Sequence, residues 1–251
     1  MIAYFSGSGN SKYIALEIAK LTNQNILSLN DRIKYNDTET FGDVDTLILS
    51  VPIYAWRIPK IVEEQIKSMK LHKSCRIYFI VTTCGSSGNA AKYAKEFCES
   101  INCEFMGLAT IFMPGTYIAF MENPSKEQEI ICKEKAKSQI VQIAKCINSK
   151  CAFPNKNITV TGKFCSDILN PVFYKHIFNR KGFYATDKCV GCGICEKVCP
   201  INNIKVINSL PKWQDSCLHC MACIHHCPQH AIEFRNITRK KNRYLCECPN
   251  K

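Results

Sequence analysis

The sequence predicts an α/β protein: a doubly wound parallel sheet followed by a small α+β module rich in cysteine. Three observations predict it. In the first 150 residues, short apolar runs alternate with Ser/Gly-rich or aromatic loops and then with helical stretches, the pattern of strand–loop–helix units. Between Cys189 and Pro228, the stretch CVGCGICEKVCP recurs as CLHCMACIHHCP at an offset of 28 residues. At 251 residues, the chain can hold this repeat and still build a separate N-terminal core.

Composition narrows the class. No run of 18 apolar residues occurs, so no transmembrane helix is expected. Met1-Ile2-Ala3-Tyr4-Phe5 opens without a charged leader, which argues against a signal peptide. Eighteen cysteines, eight of them in the repeat, suit reduced thiols in a cytoplasm better than a disulfide framework. The net charge of +12 is uneven: residues 1–150 carry 18 basic and 15 acidic side chains, residues 151–251 carry 15 and 6.

Residues 1–5 form the first expected strand. Ser6-Gly7-Ser8-Gly9-Asn10-Ser11 follows, then a helical pattern to Leu21 with Ile14, Ile18 and Leu21 on one face. A Ser/Gly loop between a strand and a helix N-terminus offers free backbone N–H groups and a helix dipole to an anion. The loop has no Lys, which excludes a Walker A site, and its spacing is not G-x-G-x-x-G. The second strand is expected at Asn25–Leu29, and the short stretch from Asn30 to Asp45 leaves its helix short or missing. Thr46–Val51 reads as a buried strand ending at Pro52-Ile53-Tyr54-Ala55-Trp56-Arg57-Ile58-Pro59, with a helix beyond to about Lys70. Arg76–Val81 reads as another, ending at Thr82-Thr83-Cys84-Gly85-Ser86-Ser87-Gly88-Asn89, with a helix to about Ile101. A fifth strand follows Cys103 to Met113. The loop from Pro114 to Pro124 is placed over the ligand, and Ser125 caps a helix to Asn148 with Ile130, Ile131, Ile140, Val141 and Ile143 as its buried side.

In an open parallel sheet, ligands sit beyond the carboxyl ends of the strands. Here those ends carry a phosphate loop, an aromatic loop and a Gly/Ser loop, a set that suits FMN. The candidate FMN residues are Ser6, Gly7, Ser8, Gly9, Asn10, Ser11, Pro52, Tyr54, Trp56, Thr83, Cys84, Gly85 and Gly88. Cys84 in the last loop is expected to act mainly as small filler.

Each half of the cysteine repeat is C-x2-C-x2-C-x3-C-P, the bacterial two-cluster spacing in which three close cysteines hold one [4Fe–4S] cluster and the fourth crosses to the other. The spacing assigns Cys189, Cys192, Cys195 and Cys227 to cluster one, and Cys217, Cys220, Cys223 and Cys199 to cluster two. Zinc sites use pairs of cysteines separated by longer loops, not this run of three followed by C-P, twice. Cluster one has Gly191 and Gly193 between its cysteines; cluster two has His219 and Met221, so the two potentials are expected to differ. His219, His225, His226 and His230 are expected to be solvated or hydrogen-bonded rather than ligands.

The chain resembles the flavodoxin–ferredoxin fusion proteins of anaerobes. Ser6, Ser8, Gly9 and Ser11 match the flavodoxin phosphate loop, Tyr54 or Trp56 the ring-stacking aromatic, and Thr83 to Gly88 the ring-edge loop. The VPIYAWRIP segment and the F-Y-A-T-D-K-C run before the first cysteine set match the fusion. The resemblance implies a flavodoxin-like sheet of order 2-1-3-4-5, with FMN, followed by a ferredoxin domain with two [4Fe–4S] clusters.

The implied organisation is a flavodoxin-like domain at 1–148, a linker and bracing helix at 149–182, a ferredoxin domain at 183–237 and a basic tail at 238–251. The linker contains a β-like run, Ile158-Thr159-Val160. Residues 163–180 carry Phe164, Ile168, Leu169, Val172, Phe173, Ile177 and Phe178 at helical spacing, an apolar brace broken at Asn170-Pro171. The basic run Arg235–Arg243 suits docking of an acidic redox protein; the run lacks interleaved aromatics apart from Tyr244, and no nucleic acid is expected. Cys246 and Cys248 are expected to be free thiols. The leading functional reading is an electron carrier linking a low-potential donor, two clusters and FMN. An FMN-dependent reductase of a small acceptor, with Tyr54, Trp56, Cys84 and Tyr117 nearby, is the alternative, and a redox sensor is a third.

Overall fold

The computed structural model describes residues 1–154, 160–174 and 181–248. Five strands, β1 (Ile2–Tyr4), β2 (Ile26–Ser28), β3 (Thr46–Pro52), β4 (Arg76–Thr83) and β5 (Glu104–Phe112), pair in parallel in the order β2-β1-β3-β4-β5. The central strands read as unbroken apolar runs because both of their faces are covered. Alternate residues point to opposite sides. Leu47, Leu49, Ile77 and Phe79 pack toward helices α3 (Lys60–Ser68) and α4 (Ala90–Ser100). Ile48, Tyr78 and Ile80 pack toward α1 (Asn10–Thr22) and α5 (Lys126–Asn148). Each fully buried aliphatic here contributes about 1.5–3 kcal/mol of transfer free energy.

Helix α2 (Leu29–Tyr35) is short, as the stretch after β2 suggested. Helix α5 opens with a capping box in which Ser125 and Gln128 satisfy each other's backbone N–H groups. Its buried stripe is Ala136, Ile140, Ile143 and Ile147, at spacings of four, three and four. Ile130, Ile131 and Val141 are exposed, contrary to expectation, because they fall off that one stripe that α1 and the sheet can cover.

The segment expected to brace the domains departs more sharply. It comprises α6 (Val160–Lys163), a widened π-helical stretch (Phe164–Leu169) and α7 (Asn170–Val172), with the change of winding at the expected Asn170-Pro171 break. Its apolar residues Phe164, Ile168 and Val172 face outward. Its docked side is Gly162, Ser166 and Asn170, a polar and small stripe at four-residue spacing. The β-like run at 158–160 lies largely outside the described residues, as do Ile177 and Phe178.

The C-terminal module is built twice. Strand β6 (Phe183–Ala185) pairs antiparallel with β9 (Ile232–Phe234), and β7 (Ile204–Ile207) with β8 (Leu210–Trp213). Short helices α8 (Ile194–Val198) and α9 (Ala222–His226) follow the cysteine runs. The module's core takes in Ile118 and Ala119 from the loop after β5. That loop, expected to lie over the flavin, is shared with the second module because its apolar residues find a ready-made core there. Lys34 at the end of α2 donates to the carbonyls of Glu196 and Cys199 at 2.9 and 3.1 Å, and Asn202 returns a 2.7 Å bond to the Lys34 carbonyl.

Candidate cofactor sites

The eight cysteines of the repeat line two pockets. Cys189, Cys192, Cys195 and Cys227 line one of them. Cys199, Cys217, Cys220 and Cys223 line the other. The crossing of the fourth cysteine follows from its position: Cys199 and Cys227 end α8 and α9 in extended conformation, which carries the chain across to the neighbouring site. Each accepts a backbone N–H from four residues ahead, Asn203 to Cys199 Sγ at 3.2 Å and Ala231 to Cys227 Sγ at 3.3 Å. Such donors stabilise negative charge on sulfur and tune a cluster's potential.

The internal repeat breaks in two places. Gly191 and Gly193 have φ of 67° and 75°, and their counterparts His219 and Met221 have φ of 50° and 58°. Non-glycine residues there pay strain for their side chains. His219 uses its side chain: Nδ1 lies 3.1 Å from the Tyr117 hydroxyl, and the ring meets Phe183 and Phe234 edge-on. His225 is also buried; its Nδ1 accepts the Tyr244 N–H at 3.2 Å, so Nε2 carries the proton given to the Thr116 carbonyl at 2.7 Å. His226 bonds the Ala222 carbonyl within its own helix, and His230 is exposed. The second site is the more desolvated: burial pushes the Cys220 thiol up to about 12 and Cys223 well above its usual range. Cys192 in the first set is exposed.

The Ser6–Ser11 loop turns at Gly9, which has φ of 98° and leads into α1 with no side-chain cap. Among the described residues, the backbone N–H groups of Gly7, Ser8, Asn10 and Ser11 meet no acceptor, although Ser8, Asn10 and Ser11 are buried. Buried, uncapped donors at a helix start fit an anion such as a flavin phosphate. The hydroxyls of Ser6 and Ser11 are engaged within the protein, Ser6 by the Gly9 N–H and Ser11 by Thr82.

A second element borders this loop that the sequence did not announce. The basic tail folds back over it: Cys246 N–H donates to the Ser8 carbonyl at 2.8 Å, and the Tyr244 hydroxyl to Asn10 Oδ1 at 2.9 Å. Asn10 Nδ2 in turn donates to the Pro114 carbonyl. Arg243, part of the basic run expected to dock an acidic partner, has its side chain buried in an ion pair with Glu233 at 2.9 Å.

The other two loops are tied to each other. Trp56 (φ 63°) packs its Cβ against Gly88 (φ 56°), where an added methyl group would collide. Ser166 from the brace bridges them, donating to the Trp56 carbonyl and accepting the Asn89 N–H at 2.8 Å. Asn170 Nδ2 bonds the Ala55 carbonyl and Arg57 Nε the Ser166 carbonyl. The polar stripe of the brace was the missed signal. Pro52 lies beside Thr82 in the ladder, and Thr83 Oγ1 accepts the Gly85 N–H, with open space beyond Gly85. Cys84 turns toward Met121 and Gly115.

Tyr54 joins the two halves of the molecule. Its ring meets Phe5 edge-on, and its hydroxyl is held well above the usual range by burial and by the nearby thiols of Cys220 and Cys217. Beside it, Gly7 is packed directly on the Cys220 carbonyl. The Ser6–Ser11 loop and the second cysteine set are thus in contact.

Residues 1–117 match the family model of the flavodoxin domain, and residues 174–232 match that of the 4Fe-4S dicluster domain. The chain joins a flavodoxin domain to a ferredoxin-like 4Fe-4S dicluster domain. The flavodoxin domain implies FMN and the dicluster domain implies two [4Fe–4S] clusters, and the uncapped loop and the two thiol-lined cavities fit them.

Among curated relatives, a component of the ion-translocating oxidoreductase complex of Methanosarcina acetivorans is 48% identical over 48 residues, covering 19% of this chain and 18% of that protein. ABC transporter E family member 1 of Arabidopsis thaliana is 34% identical over 76 residues, covering 29% of this chain and 11% of that protein. The chain therefore spans less than a fifth of the length of these relatives. The solution structure of two-electron reduced Megasphaera elsdenii flavodoxin matches 55% of this chain and 96% of its own at 17% identity, with a TM-score of 0.36. No helix among the described residues is long and apolar enough to cross a membrane.

Proposed function

We propose that this iron–sulfur flavoprotein relays electrons between a low-potential donor, its two clusters and FMN, in a cytoplasmic setting. The clusters supply one-electron exchange and the flavin one- or two-electron exchange, so a chain with both converts between the two. Cys189, Cys192, Cys195 and Cys227 would hold cluster one; Cys217, Cys220, Cys223 and Cys199 would hold cluster two. The loop Ser6–Ser11, with Pro52, Tyr54, Trp56, Thr83, Cys84, Gly85 and Gly88, would hold FMN. The domain limits at 148, 182 and 237 go with this assignment.

The observation that carries the reading is the contact of Gly7 with the Cys220 carbonyl. Gly7 lets the Ser6–Ser11 loop and the second cysteine set share one surface; the buried Tyr54 hydroxyl is near Cys220 and Cys217, and Tyr117 hydrogen-bonds His219 between two of those cysteines. On this reading cluster two would lie on the flavin side of the dicluster domain, and cluster one would be the partner-facing one. The partial likeness to an oxidoreductase-complex component supports redox partners for the chain.

Anaerobic purification should give about eight iron and one FMN per chain. With Cys217→Ala or Cys189→Ala, reduction of FMN by a low-potential donor should collapse while the flavin stays bound. Unchanged rates in both variants would overturn the relay.

A further inference from the structure

The two two-stranded sheets of the dicluster domain are related by the internal repeat, yet the tail covers only β6–β9. Their inner faces line the cluster sites: Val206 and Pro211 border the first cavity, Trp213 the second. On the outer face of β6–β9 stand Tyr184 and Glu233, a cross-strand pair. The tail closes over them. Glu233 binds Arg243 and Thr238, and the Tyr184 hydroxyl accepts from Arg239 Nε at 2.9 Å.

At the equivalent positions, 28 residues away, β7–β8 carries Lys212 and Lys205, again directly opposite each other. Like charges across a ladder cost stability. Glu196 pairs with Lys205 at 3.2 Å and relieves part of that cost, while Lys212 stays exposed. Next to the lysines, the cross-strand pair Ile207 and Leu210 is 54% and 45% exposed. The turn between them packs on Gly191, beside Val190, which is 66% exposed. Lysines alone would guard the open edges of a two-stranded sheet. An apolar pair beside them, one strand position from Val206 and Pro211 that border the first cavity, marks an interaction surface.

We infer that the outer face of β7–β8, centred on Ile207, Leu210, Lys205 and Lys212, is the docking site of an acidic electron-carrier protein that exchanges electrons with cluster one. The molecule itself supplies the precedent: where the repeat presents an acidic face, a basic segment covers it. The basic face takes an acidic cover by the same complementarity. The inference rests on the relay reading for its purpose and replaces the tail as the docking region, since Arg243 and Tyr244 are committed inside the molecule.

The test uses the full chain, loaded with iron and flavin, and an acidic two-cluster ferredoxin as probe. Its affinity is measured by calorimetry at low and moderate salt. Lys212→Glu should weaken binding at least fivefold at low salt and flatten the salt dependence. Leu210→Ser should weaken it about threefold with the salt dependence kept. Lys205→Gln serves where charge reversal disturbs iron content. Lys240→Glu, on the tail, should change nothing. Unaltered affinity in Lys212→Glu, loss in Lys240→Glu instead, no binding by the wild type, or capture by anionic vesicles in place of the ferredoxin would each overturn the assignment. Affinity is read without electron flow, so a failed relay leaves this result standing. Lost affinity with normal FMN reduction by dithionite separates docking from relay.

Discussion

Gly7 of the flavodoxin domain lies against the backbone carbonyl of Cys220 in the dicluster domain, with no room between them for a methyl group. The backbone at Gly7 is not in the left-handed region, so the need for glycine is purely one of space. Gly7→Ala should cost roughly 1–3 kcal/mol, as overpacking in a tight contact does. It should also slow cluster-to-flavin transfer without loss of either cofactor, as read by stopped-flow reduction. Gly85→Ala is the control, because nothing lies within 4 Å of the Cβ it would add.

The tail should matter to flavin, not to iron. Tyr244→Phe leaves Asn10 Oδ1 buried without its donor, a loss of about 1–3 kcal/mol for an unsatisfied polar group. FMN affinity, followed by quenching of flavin fluorescence, should fall about fivefold or more. Iron content should stay unchanged.

His225 couples three segments: its own helix α9, Thr116 and Tyr244. Burial, with Arg243 nearby, lowers it to about 4. The fold therefore favours the neutral ring. Its contribution to stability is fully present above about pH 6.5 and is lost as pH falls toward 4. The shift is worth about 3 kcal/mol. His225→Gln should flatten the decline of anaerobic melting temperature between pH 6.5 and pH 5 relative to the wild type.

Removal of iron should unfold one domain and spare the other. The core of the dicluster domain is partly made of its ligands, with Cys195, Cys199 and Cys223 buried in it, and a module this small depends on such staples. Chelation should erase amide protection in α8 and α9 while β3 and β4, whose aliphatics are fully buried, keep theirs in hydrogen exchange.

What could be read in advance was whatever is local in the chain. Cys189 to Cys199 announce themselves because ligand spacing is a short-range constraint. The Ser6–Ser11 loop does so because it sits between a strand and a helix. The parallel sheet was legible from runs such as Thr46–Pro52. What escaped was which surface each segment would choose. Phe164, Ile168 and Val172 suggested an apolar brace, yet Ser166 and Asn170 dock instead, because the loops they meet offer carbonyls and N–H groups rather than an apolar face. The tail's charges suggested an acidic protein partner, yet Arg243 pairs with Glu233 inside the chain, a partner fixed by tertiary structure.

Tyr244 and Asn10 are separated by 234 positions, and the bond between them helps hold the phosphate loop. During synthesis the sheet can form and the loop can turn long before Tyr244 leaves the ribosome. Until then the loop lacks this wall, and flavin that enters early meets half a site. The loop thus gains this wall only after both cysteine sets, which precede Tyr244 in the chain, have been translated.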